Sequence, residues 1–430
     1  MKDSGIEWIG EIPEGWEISP LFSIFKERKQ KNYNLKETNI LSLSYGKIIR
    51  RNTETNMGLL PESFETYNIV DKSNIILRLT DLQNDKTSLR TGLVIERGII
   101  TSAYIALESI NTENVFFHYL LHCYDELKVF YVMGNGVRQN LKFAELSRLP
   151  LLVPPLAEQQ RIADYLDAKC AYIDQCLELT RQSMEKLRAY KLSCITEAVT
   201  KGLDPDVPLK DSGVPWIGQI PQHCRCVAVN KLFYLILGKM LSDKPKNHDD
   251  SLEEYICALN VHFDGIDYDS LKKMWFSKNE KFTYKVMNND LLVVEGGAGA
   301  GGSYIATNIQ NKNIYIQNSI IIAREKESIS NTRFLYYTLF SLVKRNYIDF
   351  ICNKATIPHF TKEKLGRTVL VLFPLPEQKR IAAYLDKKCA RIDALLEEKQ
   401  ALLDKLAEYK KSLIFECVTG KREVPSCWNR

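Results

Sequence analysis

The sequence predicts an α+β fold: two mixed α/β domains joined by two long antiparallel coiled-coil helices, with an internal pseudo-two-fold repeat. EQQRIADYLDAKCAYID at Glu158 returns as EQKRIAAYLDKKCARID at Glu377, and 24 of the 43 residue pairs aligned from these points are identical. At the opposite end of each unit, KDSGIEWIGEIP at Lys2 returns as KDSGVPWIGQIP at Lys210. Matching sequence at both ends indicates that the chain is a duplicated unit.

The composition is that of a globular protein, with 45% apolar and 26% charged residues in 430 positions, enough for two or three domains. No apolar run approaches the ~20 residues of a membrane span. The first residues, MKDSGIEW, lack an apolar signal core, and the 11 cysteines are an odd number. We therefore expect a cytoplasmic location with reduced thiols.

The net charge of +5 is unevenly distributed. Residues 1–156 carry 18 basic and 19 acidic side chains, whereas residues 210–376 carry 21 basic and 16 acidic side chains. A basic second half suits nucleic acid, and the near-neutral first half would need a local basic patch.

The globular part of the first unit is rich in predicted strands. β-Branched and aromatic residues between turn formers predict strands at 39–49, 74–80 and 98–107, and a helix follows at 111–130, capped by Asn111 or Thr112. A Gly-rich segment, a turn at 143–146 and a strand at 149–153 close the unit before two prolines.

The second unit repeats this order, with strands in 227–238, 253–263, 289–297 and 313–324 and a helix at 331–348. Its closing segment, residues 353–378, aligns without gaps on residues 134–159. The middle of each globular part differs, which suggests two sites that read two different targets.

The repeated stretches predict long helices because residues 157–200 contain no Gly or Pro. Apolar residues recur every seven positions over five to six heptads, which is typical of a coiled coil, although an amphipathic helix lying on its own domain is the alternative. The predicted core positions are Leu166, Cys170, Ile173, Leu177, Met184, Leu187, Leu385, Cys389, Ile392, Leu396, Leu403 and Leu406.

The linker predicts the direction of pairing. A helix of 43 residues is about 64 Å long, whereas the nine residues KGLDPDVPL reach at most about 30 Å. The second unit must therefore begin near the far end of the first helix, so its own helix can pair only by running back antiparallel.

These features resemble the specificity subunit of type I restriction-modification enzymes. PPLAEQQRIADYLDAKCAYID and FPLPEQKRIAAYLDKKCARID look like its repeated helices, and the WIGEIP lead-in, RLTDLQND at Arg78 and GIITSAYIAL at Gly98 match as well. The resemblance implies two target recognition domains at 1–156 and 210–375, spacer helices at 157–200 and 376–420, a linker at 201–209 and a tail at 421–430.

The resemblance also implies what the chain does and with what. Each target recognition domain would read one half of an asymmetric bipartite site on double-stranded DNA, while the helices set the spacer and dock two methyltransferase subunits. A restriction and translocase subunit would bind that complex. The specificity subunit itself would be non-catalytic and bind no cofactor, whereas its partners would use S-adenosylmethionine, ATP and Mg.

Several motifs that suggest catalysis are incomplete. Asn-Pro-Pro-Tyr, Asp-Pro-Pro-Tyr and phosphate-loop motifs are missing from the sequence, and GGAGAGG at Gly296 lacks the lysine of a nucleotide-binding loop. His223, Cys224 and Cys226 have no second cluster to complete a zinc site. We expect Glu158 and Glu377, at helix starts, to face the positive end of the helix dipole.

Base readout requires cationic and amide side chains on loops and strand ends. For any single cation, an ordinary solvated surface charge is the alternative interpretation. The candidates are Lys47, Arg50, Arg51, Arg90, Arg138, Gln139, Asn140 and Lys142 in the first domain, and Lys272, Lys273, Lys344, Arg345, Lys354, His359 and Lys362 in the second.

Two other functional classes remain open at this stage. A coiled-coil scaffold that binds only proteins would explain the helices but not two unlike globular parts built on one framework. An enzyme with a catalytic site of scattered carboxylates in one domain is the third possibility.

Overall fold

The computed structural model describes residues 1–51, 63–82, 89–110, 112–133, 140–309, 312–326, 328–352 and 358–425. The candidates Arg138, Gln139 and Lys354 lie outside these ranges. The chain forms two compact units, one of Met1–Arg181 with Gln400–Arg430 and one of Gln182–Lys399. Each unit contains one globular part and one half of each long helix.

The globular part of the first unit is mixed α/β. Its strands are β1 (Lys2–Asp3), β2 (Glu11–Ile12), β3 (Glu17–Pro20), β4 (Phe25–Glu27), β5 (Leu41–Ser44), β6 (Lys47–Arg50), β7 (Asn68–Val70), β8 (Ile75–Leu77), β9 (Thr91–Leu93), β10 (Gly98–Ile100), β11 (Ile105–Ser109) and β12 (Pro150–Val153). Its helices are α1 (Leu21–Ile24), α2 (Asn114–Glu126), α3 (Val129–Met133) and α4 (Phe143–Leu146).

The first long helix is α5 (Leu156–Lys201), and the globular part of the second unit follows it. The strands there are β13 (Leu209–Asp211), β14 (Gln219–Pro221), β15 (Arg225–Ala228), β16 (Phe233–Leu237), β17 (Ser251–Ile256), β18 (Lys272–Phe276), β19 (Leu291–Val294), β20 (Ser303–Ile305), β21 (Ile314–Ile316), β22 (Ile320–Glu325) and β23 (Val369–Leu372). The helices are α6 (Val229–Leu232), α7 (Lys278–Tyr284), α8 (Thr332–Lys344), α9 (Tyr347–Ile351), α10 (Lys362–Arg367) and the second long helix α11 (Leu375–Val418).

The two globular parts share one framework. The central antiparallel sheet has the order β4-β11-β8-β9 in the first and β16-β22-β19-β20 in the second. The closing strand pairs with the strand after the lead-in in both, as β12 with β3 and β23 with β15. One helix, α2 or α8, contributes buried aromatic and aliphatic residues to each core. The duplication read from the sequence therefore extends to the sheet topology.

The long helices confirm the predicted coiled coil, and each ends within two residues of its predicted boundary. In the first unit, Lys410 of α11 pairs with Asp174 of α5 at 2.6 Å. Further along, Arg422 beyond the end of α11 comes close to Tyr165. The numbering rises on one helix as it falls on the other, so the halves run antiparallel. Lys191 and Asp393 form the equivalent pair in the second unit, at 2.7 Å.

All twelve predicted core positions of the helices are buried or half-buried in the structure. Leu187, Leu396, Leu403 and Leu406 are half-buried. The remaining eight are buried: Leu166, Cys170, Ile173, Leu177, Met184, Leu385, Cys389 and Ile392.

Several predicted elements are divided in the structure. The strand predicted at 39–49 is a hairpin of β5 and β6, and 98–107 contains β10 and the start of β11. The helix predicted at 111–130 begins at Asn114 with Glu113 as its N-cap, and it breaks where Lys128 adopts a φ of 62°. Residues with positive φ end a helix because they cannot continue its hydrogen bonding.

Within the described ranges, no helix combines the length and the apolar character needed to cross a membrane.

Candidate nucleic-acid interface

In each domain a backbone hydrogen bond joins the closing segment to the loop after the third strand of the central sheet, which is β8 in the first domain and β19 in the second. The Leu141 N–H donates to the Leu79 carbonyl at 2.9 Å, and the Phe360 N–H donates to the Glu295 carbonyl at 2.6 Å. One residue earlier lie Asn140 and His359, two of the predicted DNA contacts. The framework therefore places these two exposed candidates at equivalent points.

In the second domain, the loop that follows β19 is the Gly-rich segment. A Cβ at Gly296 would lie 2.7 Å from His359 Nδ1, and one at Gly301 would lie 2.8 Å from Val343. Gly297 and Gly301 have φ values of 86° and 81°. The glycines thus allow the backbone to turn tightly against the closing segment and α8.

The described candidates of the first domain differ in their freedom to bind. Lys47 is exposed at the start of β6, and Arg50 is exposed but paired with Glu96. That pairing raises the pKa of Arg50 through its hydrogen bond to the carboxylate. Asn140 is exposed, and its Oδ1 accepts the Asp81 N–H at 2.7 Å. Lys142 is exposed just before α4, and Arg51 is half-buried.

Arg90 is a correction to the predicted set. The sequence places it in a polar loop, but its side chain is 0% exposed in the structure. Its guanidinium donates to the Thr80 carbonyl at 2.8 Å, and its backbone N–H donates to Asp125 Oδ2 at 2.5 Å. Burial raises the pKa of the Asp125 carboxyl to about 6. Arg90 is therefore a buried structural residue rather than a base contact.

The candidates of the second domain lie on separate elements. Lys272 and Lys273 are exposed on β18, an edge strand of its sheet. Lys344 lies over the ring of Phe263 at 5.6 Å, Arg345 donates to the Trp216 carbonyl at 3.0 Å, and Lys362 begins α10. The structure does not bring all of them together. Contact of these residues with DNA stays a prediction.

The glutamate at the start of α5 is held by a tryptophan of the lead-in. Trp16 Nε1 donates to Glu158 Oε2 at 3.1 Å. The neighbouring Gln159 is buried, and its amide donates to the Pro154 carbonyl at 2.8 Å. Gln378 makes the same bond to the Phe373 carbonyl. The repeated glutamines thus make the same bond at the junction between closing strand and helix in each unit.

A second repeated constellation lies where each domain meets its helices. Tyr119 Oη donates to Asp167 Oδ1 at 2.9 Å in the first unit, and Tyr337 Oη donates to Asp386 Oδ1 at 2.7 Å in the second. Two turns along the same helices, Asp174 and Asp393 bind their lysines. The duplicated sequence therefore produces the same tyrosine, carboxylate and lysine arrangement in each unit.

In the second unit this constellation lines a cleft of about 1110 Å³. The wall from the domain is aromatic, with Phe263, Tyr304, Tyr336 and Phe340. The α11 residues of the other wall all recur at the equivalent α5 positions; they are Asp386, Cys389, Ala390, Asp393, Leu396 and Glu397. The cleft therefore combines charged and apolar groups.

The His/Cys cluster after the second lead-in makes local contacts. His223 Nε2 lies 3.7 Å from Glu377, while Cys224 is buried. Among the described residues, no group of three or more His, Cys, Asp or Glu side chains is placed to hold a metal ion.

Two features were missed by sequence reasoning. One is the β5–β6 hairpin with Tyr45 at its tip, hidden because Tyr-Gly is not among the usual hairpin turn pairs. The other is the aromatic wall of the cleft, which comes from residues far apart in the chain. The alternation of apolar and polar residues before Gly46 was the available signal for the hairpin.

Comparison with known proteins gives a consistent result. The family model described as type I restriction modification DNA specificity domain matches residues 13–189 and 266–405. The chain is 24% identical over 396 residues to the "Putative type I restriction enzyme MjaX specificity subunit" of Methanocaldococcus jannaschii, covering 88% of this chain and 87% of that one. It is 21% identical over 344 residues to the EcoKI specificity subunit of Escherichia coli, covering 73% and 69%.

Solved structures agree in fold. A chain from a study of complex assembly and conformational transition of the type I R-M system matches with a TM-score of 0.68 and 16% identity, over 96% of this chain and all of that chain. The HsdS subunit of Thermoanaerobacter tengcongensis matches with a TM-score of 0.54 and 15% identity, over 96% and 98%.

Proposed function

This chain belongs to the type I restriction modification DNA specificity family and has a DNA recognition role, and from this premise we propose how its parts divide that role. Each globular domain reads one half of an asymmetric bipartite site on double-stranded DNA. The long helices fix the distance between the half-sites and bind two methyltransferase subunits. Adenine methylation and DNA cleavage belong to partner subunits rather than to this chain.

The observation that supports two different readers is a shared framework with unlike inserts. The sheet order and the tie between closing segment and central loop are the same in both domains. The chain between the strands differs, as the two-residue turn after β5 and the longer connection after β17 show. A duplicated scaffold with changed loops is suited to holding two sequence readers in equivalent orientations.

Methylation mapping tests the DNA role. The chain is expressed with a cognate methyltransferase subunit, and modified adenines are mapped in genomic DNA. A split, asymmetric methylated motif is the expected result. Modification by the chain alone would indicate a hidden catalytic site, and absence of both modification and DNA binding would favour a protein scaffold.

The observation that supports docking is an exposed apolar residue repeated on both helices. Tyr190 is 49% exposed in the second unit, and the equivalent Tyr409 is 47% exposed in the first. Each directly precedes the lysine that binds an aspartate across the helix pair, Lys191 or Lys410. Exposed tyrosines beside partly exposed ion pairs supply the aromatic anchor and polar surroundings that protein interfaces use.

Stoichiometry of the complex tests this surface. Tyr190→Ala and Tyr409→Ala should each weaken one of two methyltransferase sites, and the double variant should weaken both, by about 2 kcal/mol or more if the tyrosines are hot spots. Native mass spectrometry measures the number of bound subunits. The control is Tyr33→Ala, at a position that is 66% exposed and lies outside the two long helices. Unchanged two-to-one assembly in the double variant would contradict the docking site.

The spacer role follows from helix length. An insertion of one heptad in each helix lengthens it by about 10.5 Å and keeps the seven-residue register. We expect the gap between the half-sites to change while both half-sites stay the same, as read by methylation mapping. A changed half-site would show that the helices do not set the spacing.

The remaining proposals concern cofactors, partner subunits and the location in the cell. The chain itself would bind no cofactor, while the methyltransferase and restriction subunits would use S-adenosylmethionine, ATP and Mg. The restriction and translocase subunit would join through the methyltransferase complex. The assembly would act in the cytoplasm, where it meets DNA.

A further inference from the structure

The β5–β6 hairpin of the first domain has an unusual tip. Strands β5 and β6 pair in register from Leu41 opposite Arg50 to Ser44 opposite Lys47, which leaves a two-residue turn. Tyr45 and Gly46 in that turn have φ values of 46° and 77°. Positive φ at both positions is the requirement of the type I′ turn, which normally selects Asn or Asp before Gly.

Tyr45 does not contribute to the core of the domain. Its side chain is 84% exposed, although it is a large aromatic residue. A left-handed backbone costs a residue with a Cβ about 1–2 kcal/mol. The turn is therefore both strained and apolar in water, and such features point to a role outside folding.

The hairpin has one buried face and one free face. Leu41, Leu43 and Ile48 are buried in a small apolar cluster with strands of the domain. The opposite face carries two half-buried serines and two exposed residues: Ser42, Ser44, Lys47 and Ile49. Ile49 is 47% exposed. Hydroxyls, an ammonium and an apolar side chain thus share one surface.

The buried face of the hairpin packs closely on strand β9. A Cβ added at Gly92 of β9 would lie 2.5 Å from Leu43 Cδ1 and 2.9 Å from Ile48 Cδ1. The two side chains therefore rest directly on the backbone of β9. A ribbon that is fixed in this way can present its outer face at a set angle.

We propose that the hairpin Leu41–Arg50 is the groove-entering element of the first domain, with Ser42, Ser44, Lys47 and Ile49 facing base edges and Tyr45 leading at the tip. The inference rests on the proposed function and names the reader of one half-site. The major groove, about 12 Å wide, admits a two-stranded ribbon, whose strands lie about 4.8 Å apart.

The chemistry of the outer face fits DNA better than a protein partner. Lysine pairs with guanine O6 and N7, serine binds base donors or acceptors, and an apolar group contacts the thymine methyl. The five residues from both strands and the tip include one cation and no acidic side chain. Arg50, whose pairing with Glu96 takes up its charge, lies at the base of the ribbon.

The test uses a substitution that keeps the turn. Tyr45→Asn removes the ring and supplies the residue that a type I′ turn prefers, so the domain should fold at least as well. Lys47→Ala removes the cation. The complex with methyltransferase subunits is assayed for DNA affinity and for its methylated motif. The matched control is Tyr33→Asn, which removes another exposed tyrosine of the same domain.

We expect each variant to lower DNA affinity by roughly 5- to 150-fold, the equivalent of about 1–3 kcal/mol. The half-site read by the first domain should relax at one or more positions, and the other half-site should not change. Thermal unfolding should show that the domain stays folded.

Three results would overturn the inference. The first is an unchanged affinity and motif in the double variant Tyr45→Asn, Lys47→Ala. The second is a loss of methyltransferase binding with intact DNA binding, which would make the ribbon a protein contact. The third is equal relaxation of both half-sites. If the wild-type complex methylates no bipartite site, the proposed function fails first and the ribbon has no half-site to read.

Discussion

The two domains place different residues at the same point of one framework. The segment that packs over this point also differs between the domains. Gly92 is the middle residue of β9, and Tyr304 is the middle residue of β20, the equivalent edge strand. Over Gly92 the β5–β6 hairpin packs directly on the backbone. In the second domain Tyr304 occupies that space and contacts Tyr336 instead, with ring centroids 5.8 Å apart.

The connection after β17 accordingly takes another course. Tyr336 Oη donates to the Phe263 carbonyl at 2.8 Å, and the Phe263 ring packs on Phe340. This chain therefore folds over α8 and forms a wall of the cleft. The two domains therefore differ at this position of the framework: the hairpin rests on the glycine in the first domain, whereas the tyrosine of the second domain packs against α8.

The largest expected effect comes from a buried ion pair that the first domain lacks at the equivalent place. Arg324 binds Asp290 through two bonds of 2.8 and 2.7 Å, and Asp290 is 2% exposed. Arg324→Met should destabilise the chain by about 3–5 kcal/mol because it leaves a buried charge unpaired. Chemical unfolding measures the loss.

The first domain suggests the rescue. Asn74, just before the central strand, accepts the Asp71 N–H at 2.8 Å, as Asp290 accepts the Met287 N–H at 2.7 Å. Adding Asp290→Asn to Arg324→Met should therefore restore most of the stability. A double variant as unstable as the single one would show that the two domains are not built alike here.

The next effect concerns acid stability and the first domain alone. Burial lowers the pKa of His118 to about 3, and its Nδ1 is buried without a hydrogen-bond partner. Tyr336 occupies this helix position in the second domain. Because the native pKa lies below the unfolded value of about 6.5, the unfolded chain binds the proton first and stability falls as pH drops from 6.5 towards 3.

His118→Phe should remove that loss, up to about 1.4 kcal/mol per pH unit. Its stability advantage over the wild type should grow between pH 6.5 and 4.5 in thermal unfolding. Asp125, whose pKa is raised to about 6, acts in the opposite direction and is present in both proteins. If the stability difference between variant and wild type did not change with pH, the pKa of His118 would be the same in the folded and the unfolded chain.

A third prediction separates the readers by their closing segments. Asn140→Ala should relax the half-site of the first domain and His359→Ala that of the second, each costing about 1–3 kcal/mol of binding if it contacts a base. Methylated motifs provide the measurement, and each variant is the control for the other. Effects on the same half-site would contradict one reader per domain.

The smallest effect tests the equivalence of the helix pairs. Lys191→Met and Lys410→Met each break one partly exposed ion pair, so each should cost about 0.2–1 kcal/mol. Equal losses in urea unfolding would support the pseudo-two-fold repeat, and clearly unequal losses would show that the two ends of the helices differ.

The sequence by itself determined the duplication, the fold class and the long helices, because repeats and seven-residue periods are local in the chain and set helix faces directly. The turn predicted at 143–146 lies where the structure has the short helix α4, and the closing strand was predicted to within one residue. The antiparallel direction followed from nine linker residues. Such features need no knowledge of which residues meet across the fold.

Only the tertiary structure decided which side chains are free to act. Arg90 and Lys47 are both cations beside turns in the sequence, yet Arg90 is fully buried and donates to backbone carbonyls, whereas Lys47 is exposed on the β5–β6 hairpin. The position of Gly92 beneath Leu43 and Ile48 joins residues almost fifty positions apart. Burial depends on such distant partners, and a local pattern carries no record of them.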